Sequence, residues 1–452
     1  MVVTRLRNLV AAANQPVDGA SLTVFRAAFG ALMVVAALRF FTHGWIDADY
    51  REPTHFFHYY GLEWVRPLPH PGMYFVHAAA GLAALAIAIG VVYRPACIVF
   101  AILFAYAHAI DKSNYLNHYY LVGLLTLLLA IMPLDRDGSL RVLSKPTQHA
   151  PQVRAWMLWL LRFQVAVVYF FGGLAKVGHD WLIEGEPLRI WLSSNAELPL
   201  LGRYFGDGRT ALLFAWGGML FDLTIVPLLL VRRTRGVAYV AVVTFHALTS
   251  LLFRIGMFPW IMMASATLFF DPSWPRRLGG PWRRASRDPS GVGVAGVPLG
   301  RLGVAAVAVY VLVQLALPLR HLVYPGNTLW TEEGFRFSWR VMLIEKSGEL
   351  ELTVVDGEGR RSIVEPRDYL TPFQARMTST QPDMILELAH IVARDRAATT
   401  GGPVRVYADA AVSLNGRMRS RLVDPTIDLA AEKDGLAPKR WILPSPTARP
   451  AF

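Results

Sequence analysis

Residues 156–181 read WMLWLLRFQVAVVYFFGGLAKVGHDW, and Arg162 is the only charged residue in this segment before Lys176. An apolar run of about 18 or more residues is long enough to cross the hydrocarbon core of a bilayer. Trp181, shortly after the lysine, is typical of a side chain at the membrane interface. The segment therefore predicts a transmembrane helix that ends at an ionisable group.

The whole chain has the composition of an integral membrane protein. Of its 452 residues 54% are hydrophobic and only 17% are charged, and the mean hydropathy is +0.35. The formal net charge is +12, but in membrane proteins an excess of Lys and Arg is typical of cytoplasmic loops, so we do not expect a nucleic-acid partner. The only cysteine, Cys97, excludes a disulfide framework and a cysteine metal site.

About nine apolar spans predict a mainly α polytopic membrane bundle of eight to nine transmembrane helices. The spans lie near 21–41, 74–93, 96–110, 117–133, 156–176, 210–231, 236–253, 257–270 and 302–319. Three of them, 96–110, 117–133 and 257–270, are short for a full crossing and could be tilted, half-buried or re-entrant. The first span lacks a small-residue cleavage pattern, so we expect a retained helix rather than a signal peptide.

The charges of the loops predict the orientation of the bundle. Basic residues cluster in alternate loops: Arg5, Arg7, Arg94, Arg136, Arg141, Lys145, Arg154, Arg232, Arg233, Arg235, Arg276, Arg277, Arg283, Arg284 and Arg287. The intervening loops 42–73 and 177–209 are less basic. By the positive-inside rule the N-terminus is cytoplasmic, and nine crossings would place the C-terminus outside. One miscounted short span would reverse the side of the C-terminus.

The composition changes after Leu319, which predicts two domains. Residues 1–319 form the predicted transmembrane helical domain, and residues 320–452 form a predicted extracytoplasmic β-rich domain. The elements expected in the second domain are strands at 337–345 and 349–355, a turn at Asp356-Gly357, a hairpin at Asn415-Gly416 and an amphipathic helix near 382–395.

Ionisable groups at membrane depth are costly, so each of them is a candidate functional residue. Lys176 could simply reach the outer headgroups with its long side chain. Alternatively, the half-apolar stretch that follows it carries Asp180 and Glu184 and is typical of a re-entrant or surface-lying segment. There, desolvation would favour the uncharged amine, which can accept a proton.

A second polar cluster occupies residues 111–120, DKSNYLNHYY, on the same predicted outer side. His108 and His118 in and beside it could be ordinary hydrogen-bonded histidines of the membrane interface. Three further ionisable residues are buried by position and could pair across the bundle: Arg26, Asp222 and His246. The sequence has no His pair at i, i+4 and no His/carboxylate cluster, so we expect no metal and no haem.

Four segments, in chain order, resemble the vitamin K-dependent gamma-glutamyl carboxylase family and its bacterial HTTM-domain members. They are DK…NHYYL at 111–121, YFFGGLAK…DW at 169–181, LPLRH…YPG…WTEEGFRFSW at 317–339 and VSLNGR…DP…DL at 412–429. The resemblance covers nearly the whole chain. Ala175 stands where the animal enzymes have another lysine, and Tyr115 stands where we would expect a tryptophan.

The resemblance implies an enzyme of carbon–carbon lyase or ligase type that also epoxidises a quinol. Oxygenation of reduced vitamin K, here a menaquinol-type hydroquinone, by O2 would drive removal of a glutamate γ-proton and addition of CO2. Lys176 would be the base that deprotonates the quinol, and Asn117 and His118 would position or polarise reactants on the glutamate side. The candidate substrate-binding residues are Tyr115, Trp330, Gly334, Phe335, Ser338 and Trp339, and the other candidate site residues are Asp180, Trp181 and Arg26.

The same resemblance implies a multi-pass protein of the bacterial plasma membrane. Its partners would be membrane lipid, the quinol and a glutamate-containing polypeptide. Two alternatives stay open: a quinol epoxidase that does not carboxylate, and a non-catalytic quinone- or lipid-binding protein or transporter. The sequence has no inverted repeat and no paired broken helices in two halves, which argues against the transporter.

Overall fold

The computed structural model describes residues 2–253, 255–278 and 293–446, and it is mainly helical. Arg283, Arg284 and Arg287, which contributed to the predicted orientation, lie outside the described residues, as do the last six residues of the predicted C-terminal domain. The helices of the first part are α1 (Val2–Ala13), α2 (Ala20–Thr42), α3 (Trp45–Tyr50), α4 (Gly72–Ile89), α5 (Tyr93–Ala109), α6 (Asn117–Ile131), α7 (Leu140–Ser144), α8 (Ala155–Leu174), α9 (His179–Leu182), α10 (Leu188–Ser193), α11 (Gly208–Leu230), α12 (Arg235–Leu252), α13 (Phe258–Ala266) and α14 (Arg301–Ala316).

Six helices in the described part of the chain are long and apolar enough to cross a membrane. They are α2, α4, α8, α11, α12 and α14, the last together with a 3₁₀ extension to Val323. Helices α5, α6 and α13 are apolar but shorter. Each predicted apolar span therefore coincides with a helix, and the chain is a multi-pass membrane protein. The exact number of crossings and the orientation stay predictions.

Helix α8 lies at the centre of the bundle, where it contacts α6, α11, α13 and α14. In its most apolar stretch 67% of the residues are buried, against 11% in α14. Glycines allow α11 to approach α8 closely, because a Cβ on Gly173 would lie only 2.8 Å from the Leu223 side chain. Close backbone approach at small residues is a common packing mode of membrane helices. Residues near the C-terminus of α8 are therefore held against α11.

The two ends of the bundle are built differently. At the end where α2 begins, a small sheet of β1 (Pro16–Asp18), β2 (Gln152–Arg154) and β3 (Val294–Ala295) ties the chain together. At the other end, where α5 and α8 finish and α6 and α11 begin, the C-terminal part of the chain packs on the helices. We call this second end the domain end.

The C-terminal part combines a sheet with helices. Its elements are α15 (Thr328–Thr331), β4 (Lys346–Val355), β5 (Arg361–Val364), α16 (Pro372–Thr378), α17 (Pro382–Thr400), β6 (Arg405–Leu414) and β7 (Ser420–Arg421). The strands pair antiparallel in the order β5-β4-β6-β7. Helix α17 begins with proline and ends at Gly401 in the left-handed region, and it buries Met384 and Leu388 against the sheet. A β-rich domain is thus not confirmed, and the boundary at residue 319 stays a prediction.

Most local predictions for this part are confirmed, but one strand is wrong. The segment 349–355 lies in β4, the helix near 382–395 lies in α17, and Asn415-Gly416 has the positive φ angles of a tight hairpin turn. The predicted strand at 337–345 is irregular, because Phe337, Trp339 and Met342 have φ angles near +60°. Its apolar side chains fit into the domain end of the bundle instead of lining a sheet.

Candidate active site

The Lys176 ammonium is turned into the bundle and paired. Its side chain is 9% exposed, and Nζ donates hydrogen bonds to Asp222 Oδ2 at 2.8 Å and to the Gly172 carbonyl oxygen at 3.0 Å. Carbonyls in the last turn of a helix lack intrahelical partners and favour a cation. The alternative in which Lys176 reaches toward the headgroups is therefore wrong, and Asp222 forms the cross-bundle pair that the sequence left open.

The glycines before the lysine explain how Asp222 reaches it. A Cβ on Gly173 would lie 3.0 Å from the Asp222 Cβ, and one on Gly172 would lie 3.7 Å from its Oδ2. A side chain at Gly173 would push α11 away and lengthen the contact, whereas a methyl group at Gly172 would make an ordinary van der Waals contact. The sequence Gly172-Gly173-Leu174-Ala175-Lys176 thus brings both a cation and a close-approaching carboxylate to the end of α8.

A cavity of about 90 Å³ lies beside this ion pair. Its walls are mainly aromatic and aliphatic, and Val341 and Met342 close it from the C-terminal part of the chain. The polar side chains in the lining are Tyr169, Lys176, Trp181, Asp222, His246 and Thr249. Apolar walls with a few convergent polar groups are what an aromatic hydroquinone needs, because the ring is buried and only its oxygens require partners. The chemistry of the lining residues therefore fits a quinol, and the cavity must widen to admit a bicyclic ring.

Tyr169 and His246 form a second polar pair in the cavity wall. The Tyr169 Oη lies 2.8 Å from His246 Nε2, and both side chains are buried. Tyr169 lies seven residues before Lys176, a spacing of about two helical turns, and Lys176 follows the end of α8 in the next turn of the chain. That spacing is the signal by which the tyrosine could have been singled out from the sequence, which quoted it only as part of a motif.

Asn117 and Tyr115 hold the irregular segment 337–340 against the bundle. Asn117 Nδ2 donates to the Arg340 carbonyl at 3.2 Å, and its Oδ1 accepts from the Tyr115 hydroxyl at 3.1 Å. The same hydroxyl accepts from the Phe337 N–H at 2.7 Å. Both residues are at the domain end, as Lys176 is, but neither lines the cavity.

His118 lies behind the cavity wall. It is buried, and its ring centre is 6.5 Å from that of Phe258, which lines the cavity and lies 6.1 Å from the His246 ring. A Cβ on Gly256 would be 3.4 Å from the His118 ring. The histidine is thus one aromatic ring away from the residues that face the lysine.

The candidates between Trp330 and Trp339 are dispersed. Trp330 is buried in the C-terminal part, where its Nε1 donates to the Leu443 carbonyl at 2.9 Å. Ser338 Oγ donates to the Phe335 carbonyl, and Phe335 itself is half-buried. Trp339 is fully buried and stacks on Tyr120, and its carbonyl oxygen would lie 3.9 Å from a Cβ on Gly172. Trp339 is thus the candidate whose backbone lies beside Gly172, the residue whose carbonyl accepts from Lys176.

Gly334 has a conformational role. Its φ is +73°, and a Cβ there would lie 2.7 Å from the His321 Cα. Both the backbone angle and the close approach require glycine.

The two candidates after Lys176 have different surroundings. The Trp181 ring lines the cavity 5.4 Å from Lys176 Nζ, and its Nε1 donates to the Ala215 carbonyl at 2.7 Å. Asp180 instead accepts two hydrogen bonds of 2.7 Å from Arg417, in the loop between β6 and β7. Asp180 therefore anchors α9 to the C-terminal part of the chain.

One cluster corrects the expectation that no His/carboxylate group is present. His179, Asp180 and Glu184 bring possible metal-ligand atoms within 4.8 Å of one another in the described part of the chain. However, the Arg417 guanidinium contacts both carboxylates at 2.7 and 2.8 Å. The guanidinium already binds both carboxylates, so the geometry of the cluster does not favour a metal ion.

Arg26 lies at the end of the bundle opposite the domain end. Its guanidinium donates to the carbonyls of Ile87, Ala88 and Gly138 at 2.6, 2.9 and 3.0 Å. It therefore caps the C-terminus of α4, and the structure does not bring it to Lys176.

A charged network that the sequence did not indicate holds α17 on the bundle. Lys112 Nζ lies 3.2 Å from Asp383 and 3.1 Å from Glu387, and Arg336 contacts Asp383 at 2.6 Å. Burial raises the pKa of the Asp383 carboxyl, but the Arg336 and Lys112 cations outweigh that effect and hold the pKa well below its usual range. The network fixes the C-terminal part over the domain end.

Two family models match the chain in sequence order. Residues 14–274 match the HTTM domain, and residues 300–448 match the vitamin K-dependent gamma-carboxylase, lumenal domain. No solved structure matched the chain. The first match alone covers more than half of the chain, and the second contains the segment that closes the cavity. The protein therefore belongs to the vitamin K-dependent gamma-carboxylase family, with an HTTM membrane domain followed by the lumenal domain of that family.

Proposed function

We propose that the protein is a membrane quinol-dependent gamma-glutamyl carboxylase that uses a menaquinol-type reduced vitamin K, O2 and CO2. The observation that carries the proposal is the buried Lys176–Asp222 pair in the wall of an apolar cavity at the domain end. Family membership supports the same reaction class.

Lys176 is the proposed base. When bound, the quinol supplies the electrons for oxygenation to its epoxide, and that reaction drives removal of the glutamate γ-proton. For Lys176 to take the proton of the quinol hydroxyl, its amine must first be neutral. Asp222 Oδ2, 2.8 Å from Nζ, is placed to accept the ammonium proton. The transfer would leave two neutral groups in a site whose other walls are mainly apolar.

The cavity walls support the chemistry by excluding water. A strong base formed in water would be quenched by solvent, whereas apolar side chains around Lys176 slow that loss. A lipid-soluble quinol would enter from the bilayer, and a glutamate side chain would approach from the domain end. Asn117 would hold segment 337–340 in place through the Arg340 carbonyl. His118 would support the cavity wall from behind Phe258.

One observation favours a second candidate, quinol epoxidation without carboxylation. The glutamate-side candidates Asn117, His118 and Trp330 do not line the cavity that contains Lys176. A site able to oxygenate a quinol could thus exist without a nearby glutamate site.

A double product assay tests the proposal. Purified protein in nanodiscs receives a menaquinol-type hydroquinone, O2, ¹⁴C-labelled CO2 and a glutamate-containing peptide. The carboxylase predicts both quinone epoxide and ¹⁴C fixed in the peptide. Epoxide without fixed label would establish the epoxidase instead, and the absence of both products would overturn the enzyme. Lys145→Met, at an exposed lysine between α7 and the start of β2, is the matched control and should form both products at the wild-type rate.

We also propose that the C-terminal part faces the outside of a bacterial plasma membrane. In a Cys97→Ser background, a cysteine at the exposed Leu436 should react with a membrane-impermeant maleimide in intact cells. Labelling only after lysis would reverse the orientation.

A further inference from the structure

The Tyr169–His246 pair has no role in the proposed proton transfer, although it lies in the same cavity wall. Tyr169 is 3% exposed and His246 is 2% exposed, and they reach the cavity from α8 and α12. Helix α8 ends at Leu174, and Lys176 Nζ turns back to the Gly172 carbonyl, three residues beyond Tyr169, so the two polar groups lie at different levels along the end of α8. A flat ligand lying along α8 would therefore meet Lys176 at one end and Tyr169 at the other.

The hydrogen-bond pattern around His246 indicates how the tyrosine hydroxyl is oriented. His246 Nδ1 is buried and has no hydrogen-bond partner among the described residues. If Tyr169 donated to Nε2, the neutral ring would carry its hydrogen on Nδ1, and a buried N–H would be left unpaired. Buried N–H groups without partners are rarer in proteins than under-satisfied acceptors. The favoured arrangement has Nε2–H donating to the Tyr169 oxygen, which frees the hydroxyl hydrogen to point elsewhere.

The surroundings offer that hydrogen few competing partners. Aromatic rings of Phe221, Phe245 and Phe258 pack around His246, at ring-centre distances of 6.2, 5.3 and 6.1 Å. Rings of this kind fix the imidazole and exclude water.

The other polar groups of the lining are already engaged. Lys176 and Asp222 bond to each other, Trp181 donates to a backbone carbonyl, and Thr249 donates to the His246 carbonyl at 3.1 Å. A hydroxyl donor facing an apolar cavity is stabilised by a ligand that brings its own oxygen.

We propose that Tyr169, held by His246, donates a hydrogen bond to the second ring oxygen of a para-hydroquinone whose first hydroxyl lies at Lys176. The inference rests on the proposed function and deepens it, because it assigns a residue to the second ring oxygen of the proposed hydroquinone. Tyr169 and His246 are positioning and specificity residues here, and the proton chemistry stays with Lys176.

Paired ligands isolate this one contact. Affinity is measured without turnover, in the absence of O2, by quenching of intrinsic fluorescence of the full chain in nanodiscs. The probes are 2-methyl-1,4-naphthohydroquinone, which has both oxygens, and 2-methyl-1-naphthol, which lacks the second. Tyr169→Phe should weaken hydroquinone binding about 3- to 10-fold, as for one neutral hydrogen bond, and should leave naphthol binding within about 2-fold. Tyr239→Phe, which removes a hydroxyl from a tyrosine packed on Phe270, should change neither affinity.

The outcomes separate the inference from the function beneath it. Unchanged naphthol binding shows that the cavity of Tyr169→Phe is intact, so a selective loss supports the contact. Equal losses for both probes, or no loss for either, would overturn the inference while leaving the quinol site in place. If the wild-type protein bound neither probe, the quinol site would fail and the inference would fail with it.

Discussion

The buried Lys176–Asp222 pair makes a quantitative prediction about stability. The two side chains are 9% and 10% exposed and touch at 2.8 Å. At an effective dielectric constant near 20, their attraction is about 6 kcal/mol, which offsets a desolvation cost of several kcal/mol for each ion. Lys176→Met or Asp222→Asn alone leaves one buried charge uncompensated and should lower the free energy of unfolding by about 3 kcal/mol. The double variant removes both charges and should lose less than the sum, with a coupling energy of at least about 2 kcal/mol.

A double-mutant cycle measured by steric trapping in bicelles would test this value. Arg419 and Glu349 provide the matched control, because they touch at 2.6 Å while their side chains are 49% and 74% exposed. An exposed pair of that kind should show a coupling energy within about 1 kcal/mol of zero. If the effects of Lys176→Met and Asp222→Asn simply added, the two groups would not be a functional pair, and the proposed proton transfer between them would lose its basis.

Three further predictions concern the surroundings of the site. Because the pKa of Asp383 is depressed, its contribution to domain docking is complete above the ordinary aspartate pKa and is lost only as pH falls through the depressed value. Asp383→Asn at pH 7 should therefore speed hydrogen exchange at the start of α17. Lowering the pH of the wild-type protein to 5 should not speed that exchange. Gly334→Ala should lower the free energy of unfolding, measured by thermal unfolding, by about 2 kcal/mol or more. At Gly357 no atom lies within 4 Å of the added Cβ, so Gly357→Ala should be near neutral in that measurement. Arg26→Gln should lower the free energy of unfolding by about 2–4 kcal/mol, because buried carbonyls lose their hydrogen-bond donor. Hydroquinone affinity should stay unchanged in the fluorescence assay. A large loss of affinity would show that Arg26 does belong to the site.

The helical domain could be predicted from the sequence because the pattern that indicates it is local. Each span is a run of apolar residues, and a helix satisfies its backbone hydrogen bonds within the span, as the water-free core of a membrane requires. The strand predicted at 337–345 failed because its apolar residues serve a tertiary contact. Phe337 and Trp339 pack on Tyr115 and Tyr120, and their positive φ angles break the extended pattern.

The candidate site could be predicted from the sequence only in part. Lys176 stood out because a charge at the end of an apolar run is rare. Its partner Asp222 lies 46 residues away on another helix, and no local pattern sets how α11 is rotated about its axis. The same holds for His246 opposite Tyr169, and for Asp383, which is 271 positions beyond Lys112. These contacts depend on how helices and domains pack, which the spacing of residues along one element does not specify.

The role of Lys176 as the base is tested most directly by the rate of quinone epoxide formation in Lys176→Met. The variant keeps the length and apolar volume of the side chain but has no amine. With hydroquinone and O2 in excess, we predict that its epoxide rate falls at least about 100-fold below wild type, while hydroquinone affinity falls no more than about 10-fold, as for the loss of one hydrogen bond at the first hydroxyl. A variant that binds the hydroquinone and forms epoxide at the wild-type rate would contradict the assignment of Lys176 as the base.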